Sequence, residues 1–371
     1  MKKVIVNTAS NSYPVFIGSN IFKSLPELVR EYSLPKRIFI ILDKNVERNY
    51  SSLIRKAINA VTVKKYFLIL PASEKIKSFG TTAQIFSRMY EEKFGRDTML
   101  IAIGGGTIGD VAGFVASTYM RGIPLIHIPT TLLASVDSSI GGKTGINFKG
   151  AKNLIGTFYQ PFLVLIDTNF HNSLPKEELI SGFGEVIKYS YLTDGKFYST
   201  LLSDYNLLMK KDSGFLNEII YESVKIKSAV VSKDENEVSG LRKILNFGHT
   251  FAHAFESQSF YKLSHGKAVI AGVVSALLLS YEKGLIDEKQ LNYMLELPLK
   301  FQPSIKIKNI NKEDIFRLMT YDKKSREGKI KFVLLKNFGE ILVDLSVNKR
   351  SVYQALKKTN EIWFKRATAG L

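Results

Sequence analysis

A run of strand-forming residues, Met99–Ile103, passes directly into Gly104-Gly-Gly-Thr-Ile-Gly-Asp110. Few folds are open to such a stretch. A buried strand that turns on glycines into a helix belongs to a sheet covered by helices. The Gly104-x-Gly106-x-x-Gly109 spacing lets backbone N–H groups and the helix N-terminus cradle a pyrophosphate. The same glycines also serve to pack a helix closely on a sheet, so the motif alone does not decide for a nucleotide. The acidic residue that usually follows about twenty residues on is missing, because Ile123 to Ala134 holds none. Asp43, directly after the apolar run Arg37–Leu42, is the substitute that would hold a ribose.

Other apolar, β-branched runs repeat the theme. Arg37–Leu42, Tyr66–Leu70, Pro124–Ile128 and Phe162–Ile166 read as strands, with Ser78–Phe94 and Asp110–Met120 as helices among them. Alternating strands and helices predict a Rossmann-like α/β domain with a largely parallel sheet. Past residue 170 the period lengthens. Lys176–Tyr191, Leu216–Ser232, Ile244–Ser257, Lys267–Lys283 and Lys289–Leu295 read as helices, and Lys329–Leu335 with Glu340–Val343 as a small hairpin. The expected organisation is an α/β domain over 1–170 and a mainly helical, all-α domain over 171–371.

The 371 residues include no cysteine, which excludes disulfides, thiolate ligands and a cysteine nucleophile. The longest apolar run, Ala268–Leu279, is too short for a bilayer. The N-terminus turns polar too soon for a signal peptide, so we expect a cytoplasmic protein with no membrane partner. A formal charge of +18 suits either a nucleic acid or a strongly anionic small molecule. The lysines are scattered, without a basic tract, an arginine-rich arm or zinc-finger spacing, which argues against nucleic acid.

Three of the five histidines, His249, His253 and His265, cluster in Asn246-Phe-Gly-His-Thr-Phe-Ala-His253 and Ser264-His-Gly-Lys267. Neutral imidazole is a common zinc ligand, and residues four apart share a helix face, so His249 and His253 could seat a divalent cation. A carboxylate often completes such a set, and Glu185 is the best upstream candidate. The alternative is that the histidines only cap or pack helices. Lys188 lies one turn after Glu185 and Arg242 one turn before Asn246, which favours an acidic, oxygen-rich ligand. Hydroxyls, glycines and lysines interleaved from Pro129 to Pro161 suit phosphate and other oxyanions. A long polar loop is the blander reading, although structureless loops of that length are uncommon.

Taken in order, these motifs resemble those of the 3-dehydroquinate synthases. The resemblance covers about Asp43 to Leu335. It rests on Glu74-x-x-Lys77-Ser, the glycine turn through Phe114, Arg121-Gly, Pro129-Thr-Thr-Leu-Leu, Val136-Asp-Ser-Ser-Ile-Gly-Gly-Lys-Thr144 and Lys152-Asn-Leu-Ile-Gly-x-Phe-Tyr-Gln-Pro161. Glu185-Val-Ile-Lys188, Arg242-x-x-Leu-Asn-Phe-Gly-His-Thr250 and His265-Gly complete it. The resemblance implies a carbon–oxygen lyase of the shikimate pathway of aromatic amino acid biosynthesis. Its substrate would be an anionic sugar phosphate, 3-deoxy-D-arabino-heptulosonate 7-phosphate, and its products 3-dehydroquinate and phosphate. The implied route is transient oxidation by NAD, β-elimination of phosphate, re-reduction and aldol closure.

The resemblance also implies zinc (or cobalt) ligands at Glu185, His249 and His265, replacing the His249–His253 pair suggested by spacing. It implies NAD contacts at Asp43, Glu74, Lys77, Gly105, Gly106, Thr107, Ile108, Gly109, Asp110, Thr130, Thr131, Asp137, Ser138, Lys143 and Lys152. Substrate and catalytic contacts fall on Arg121, Asp137, Lys143, Lys152, Asn153, Lys188, Lys227, Arg242, Asn246, His253 and Lys323. Arg121 is expected to enter the site of a second subunit, which implies a homodimer.

Several residues depart from the family pattern. His127 stands for a usual glutamine, Gly184 for alanine, Ser190 for a common glycine, and Lys267 for a glutamate two residues from a ligand. Three rivals remain. One is another sugar-phosphate cyclase, such as a 2-deoxy-scyllo-inosose or epi-valiolone synthase, against which Lys152-Asn153 and Arg242 favour an acidic substrate. The others are a metal-dependent polyol or glycerol-phosphate dehydrogenase and a non-catalytic binding protein.

Overall fold

The structure is a computed structural model that describes residues 1–32, 35–307, 310–321 and 330–365. Packing divides the chain into two compact units, Met1–Leu179 with Leu208–Asn236, and Ile180–Leu207 with Glu237–Leu371.

In the first unit the strands are β1 (Lys2–Asn7), β2 (Ser12–Gly18), β3 (Arg37–Asp43), β4 (Lys64–Leu70), β5 (Thr98–Gly104), β6 (Leu125–Pro129), β7 (Lys143–Phe148), β8 (Ala151–Phe158) and β9 (Leu163–Asp167). Its helices are α1 (Leu25–Tyr32), α2 (Lys44–Asn59), α3 (Phe79–Glu91) and α4 (Gly106–Thr118). From α5 (Lys176–Ser190), α6 (Lys196–Asp204) and α7 (Asn206–Met209) the chain continues into α8 (Ser213–Lys233).

Seven strands form one sheet in the order β1-β2-β9-β6-β5-β3-β4. β1 and β2 pair antiparallel, and each remaining neighbour pair is parallel. The expected α/β domain with a largely parallel sheet is present. Its strands read as unbroken apolar runs because both faces are covered. Ile38, Ile40 and Leu42 pack with Met99, Ile101 and Ile103 and with side chains of α1 and α2, whereas Phe39, Ile41, Leu100 and Ala102 pack against α3 and α4. Each such buried isoleucine, leucine, methionine or phenylalanine contributes roughly 1.5–3 kcal/mol.

Chain direction reverses at β3 and β5, where β3 leads outward to β4 and β5 leads inward to β6. In open α/β sheets the crevice at the carboxyl ends of such strands takes ligands. Asp43 ends β3 and Gly104 ends β5, one residue past the Leu42–Ile103 register pair.

Two features of this unit differ from the sequence expectation. The polar stretch Pro129–Pro161 is not one loop: a π-helical turn over Ala134–Ser138 precedes the antiparallel β7–β8 hairpin. The N-terminal β1–β2 hairpin, with its apolar runs Val4–Val6 and Val15–Ile17, was not read as strands, yet it forms one edge of the sheet.

The second unit is mainly helical. α9 (His249–Gln258), α10 (His265–Glu282), α11 (Glu288–Leu299), α12 (Lys312–Tyr321) and α13 (Lys349–Lys365) accompany the hairpin β10 (Lys331–Asn337) and β11 (Glu340–Ser346). That hairpin was expected, although Lys329 lies outside the described residues. The helix expected over Ile244–Ser257 is interrupted. A 3₁₀ turn over Leu241–Asn246 ends before Gly248, whose φ of +79° is left-handed, and α9 starts at His249. α10 is buried along its length, which explains the apolar run Ala268–Leu279. Among the described residues no helix is long and apolar enough to cross a membrane.

Candidate active site

The first unit gathers polar groups around the ends of β3, β5 and β6. Gly105 caps α4 without a side-chain hydrogen bond, so the first-turn N–H groups are left for an anion. A Cβ at Gly105 would stand 3.0 Å from Thr131 Cγ2, and one at Gly106 would stand 2.9 Å from Ser138 Oγ. Glycine there keeps a cradle open between the turn and the π-helical segment. Thr107 and Gly109 lie partly buried in the first turn of α4, beside the buried Ile108. Thr130 donates its N–H to Gly104 O at 3.0 Å, and Thr131 Oγ1 accepts from Ala134 N at 3.2 Å. Asp43 is buried and accepts from Asn45 N at 2.7 Å as the cap of α2. Burial raises its carboxyl above the usual range, against the pull of the Asn45 and Val46 N–H groups.

Lys77 is buried and joins three elements. Its Nζ donates to Asp110 Oδ2 at 2.6 Å and to Asn153 Oδ1, and it stands 4.0 Å from Glu74. Burial raises the Asp110 carboxyl despite Lys77. Asn153 has a left-handed φ of 50°, and its N–H donates to Asn147 Oδ1 at 2.9 Å. Asn147 Nδ2 in turn donates to Glu74 Oε1 at 2.8 Å. Lys227, from α8, donates to Asp137 O at 2.8 Å and Asp137 Oδ1 at 2.5 Å. Arg121, Lys143 and Lys152 are exposed, and Arg121 has a left-handed φ of 68°.

In the second unit Glu185, His249 and His265 each offer an atom within 4.8 Å of the others. Glu185 Oε1 lies 3.5 Å from His249 Nε2 and 3.3 Å from His265 Nε2. Both ring Nδ1 atoms are engaged elsewhere, that of His249 3.3 Å from Phe247 O and that of His265 3.2 Å from Glu256 Oε2. With Nδ1 as the donor, each Nε2 lone pair faces the same point as the carboxylate. Two imidazoles and one carboxylate are a set that zinc or cobalt accepts, so these residues fit a divalent cation. Burial opposes a charge on His265, but Glu185 and Glu256 outweigh it and raise its imidazole to about 10. A cation at Nε2 would answer the same two carboxylates.

Lys188 Nζ donates to Glu185 Oε2, and both side chains are buried. His253 shares the neighbourhood but is not in the converging set: its ring lies 5.6 Å from that of His249 and 6.4 Å from that of His265. Arg242 is buried on the 3₁₀ turn, 4.0 Å from Glu237, and Asn246 ends that turn. Lys323 lies outside the described residues.

Bare backbone brings Glu185 and His265 together. A Cβ on Gly266 would come within 1.6 Å of Ser181 O, and one on Gly184 within 2.1 Å of Gly266 O. α5 and α10 therefore touch without side chains between them, which places Glu185 beside His265. Gly184 extends that contact. Sequence reasoning missed Glu256 and Asn147. Glu256 stands seven residues after His249, two turns along the same helix face, so the period held a signal for it.

One family model described as 3-dehydroquinate synthase N-terminal matches residues 67–181, and another described as 3-dehydroquinate synthase C-terminal matches 182–325. The chain belongs to the 3-dehydroquinate synthase family. A 3-dehydroquinate synthase of Pelagibacter ubique is 42% identical over 96% of this chain and 98% of its own length. One from Alkaliphilus metalliredigens is 40% identical over 92% and 94%. Among solved structures, a 2-deoxy-scyllo-inosose synthase complexed with carbaglucose-6-phosphate, NAD+ and Co2+ superposes with a TM-score of 0.88 at 23% identity, covering 96% of this chain and 99% of that one. A 2-epi-5-epi-valiolone synthase from Streptomyces hygroscopicus, with NAD+ and Zn2+ bound, gives 0.86 at 25% identity, covering 95% and 97%.

Proposed function

We propose that this chain converts 3-deoxy-D-arabino-heptulosonate 7-phosphate to 3-dehydroquinate and phosphate, in the cytoplasm and as a homodimer. The observation that carries this reading is the convergence of Glu185, His249 and His265 in a chain of this family. Those three residues would hold the divalent cation, which when bound supplies Lewis-acid polarisation of substrate oxygens. The glycine turn, Asp43, Glu74, Lys77, Asp110, Thr130, Thr131, Asp137 and Ser138 would hold NAD, which supplies a transient hydride acceptor.

The chain's own residues then bind and orient. Lys143, Asn153, Asn246, Lys323 and the Arg121 of a second copy would hold the phosphate and stabilise its charge as it leaves, while Lys152 serves both cofactor and substrate. Lys227 and Arg242 would hold the carboxylate. Lys227 is steadied for this by Asp137, and Arg242 by burial. Lys188 neutralises Glu185 and keeps a cation beside the reacting hydroxyls. His253 would orient a substrate hydroxyl. Positioning and charge stabilisation of this kind supply much of an enzyme's rate enhancement.

The test is phosphate release from that substrate by purified protein with catalytic NAD+, before and after metal stripping and zinc restoration. We expect release that needs both NAD+ and metal and leaves no net NADH. Steady NADH accumulation, or faster turnover of a sugar phosphate lacking a carboxylate, would overturn the assignment.

A further inference from the structure

We infer that Glu256 is a positioning residue of the metal centre: its carboxylate fixes the tautomer and ring orientation of His265 and thereby sets how tightly the site holds a divalent cation. The inference rests on the reading of Glu185, His249 and His265 as ligands. Glu256 is buried, and its Oε2 lies 3.2 Å from His265 Nδ1, on the far side of the ring from Glu185. An imidazole that donates from Nδ1 to a carboxylate presents Nε2 as a lone pair and gains basicity, and removing such a partner costs about 10–100-fold in metal affinity. His249 Nδ1 faces a backbone carbonyl, Phe247 O, at 3.3 Å. The histidine whose Nδ1 faces a carboxylate is also the more exposed of the two.

The negative charge at His265 Nδ1 comes from the neighbouring helix: α9 supplies both His249 and, two turns later, Glu256. One rigid helix therefore carries a ligand and the orienting group of another ligand.

The experiment is competitive titration of chelator-stripped protein with Zn2+, together with the visible d–d spectrum of the Co2+ form. E256A should bind Zn2+ roughly 10–100-fold more weakly than the unsubstituted chain and shift the Co2+ bands. E256Q, which keeps an acceptor oxygen and loses the charge, should lose a smaller factor, roughly three- to tenfold, and it carries the test if E256A does not fold. H249A, which removes a ligand, should lose stoichiometric binding. Unchanged affinity and Co2+ spectrum in E256A and E256Q, with binding abolished in H249A, would overturn the role of Glu256 and leave the ligand set standing. Unchanged binding in H249A would overturn the ligand set itself, and the inference with it.

Discussion

Single side chains decide much of the pH behaviour of this molecule. His127 and His171 are fully buried in the first unit, and burial pushes each imidazole down to about 4. In the unfolded chain both titrate near 6.5. Between those values the unfolded state binds more protons, so their contribution is complete above about pH 6.5 and is lost as pH falls toward 4. It amounts to roughly 3 kcal/mol per histidine. H127Q removes one of the two groups. Denaturant midpoints measured from neutral pH down to pH 4.5 should fall less steeply in H127Q, by about one proton's worth of slope. Equal slopes would show that His127 titrates alike in both states. The sequence already marked position 127 as a departure, but not its burial, because a histidine interrupts the apolar run by which a strand covered on both faces is recognised. The proposed metal ligands were legible only in part, since some of their pairings are not local in sequence. Spacing displays helix neighbours such as His249 and His253, whereas the joining of Glu185 to His265 depends on two helices meeting at Gly184 and Gly266.

At the scale of elements, that meeting is the feature most open to test. G266A places a methyl group where Ser181 O now stands, and a backbone carbonyl cannot rotate aside. Overpacking of this kind costs typically 1–3 kcal/mol, and here it also parts Glu185 from His265. The metal-free variant should unfold at a lower temperature and bind Zn2+ more weakly. A wild-type midpoint and affinity would show that α5 and α10 can separate without harm. The elements easiest to read were the buried strands, since burial on both faces leaves unbroken apolar runs such as Arg37–Leu42. The β7–β8 hairpin was hidden by its composition: its strands are largely exposed, and lysines, glycines and asparagines show no alternation. Its place comes from Lys77, Asn147 and Asn153, contacts distant in sequence that no local pattern displays. The break at Gly248 was missed because residues on both sides of it keep a helical rhythm.

Across the whole molecule, the proposed ligand set of the cation lies in one unit and the proposed nucleotide contacts in the other. A ligand at one hundred times its Kd stabilises its folded partner by about 2.7 kcal/mol. Calorimetry should find that Zn2+ raises an unfolding midpoint with no NAD+ present, and that H249A abolishes the Zn2+ increment while keeping the NAD+ increment. Loss of both increments in H249A would mean that the two ligands do not act on separate units. The sequence reading placed one cut at 170, whereas packing returns Leu208–Asn236 to the first unit. A change of period marks where helices begin to dominate, and it does not say which sheet a later helix covers.

That return path bears on how the chain is made. α8 packs on β1, β2 and the π-helical turn, and Lys227 lies 90 residues after its partner Asp137. During synthesis, which proceeds from the N-terminus, the sheet is finished at Asp167 long before the helix that closes over its edge has left the ribosome. Nascent chains halted after Leu179 should therefore carry an open apolar flank and engage chaperones, and release from them should coincide with the emergence of α8.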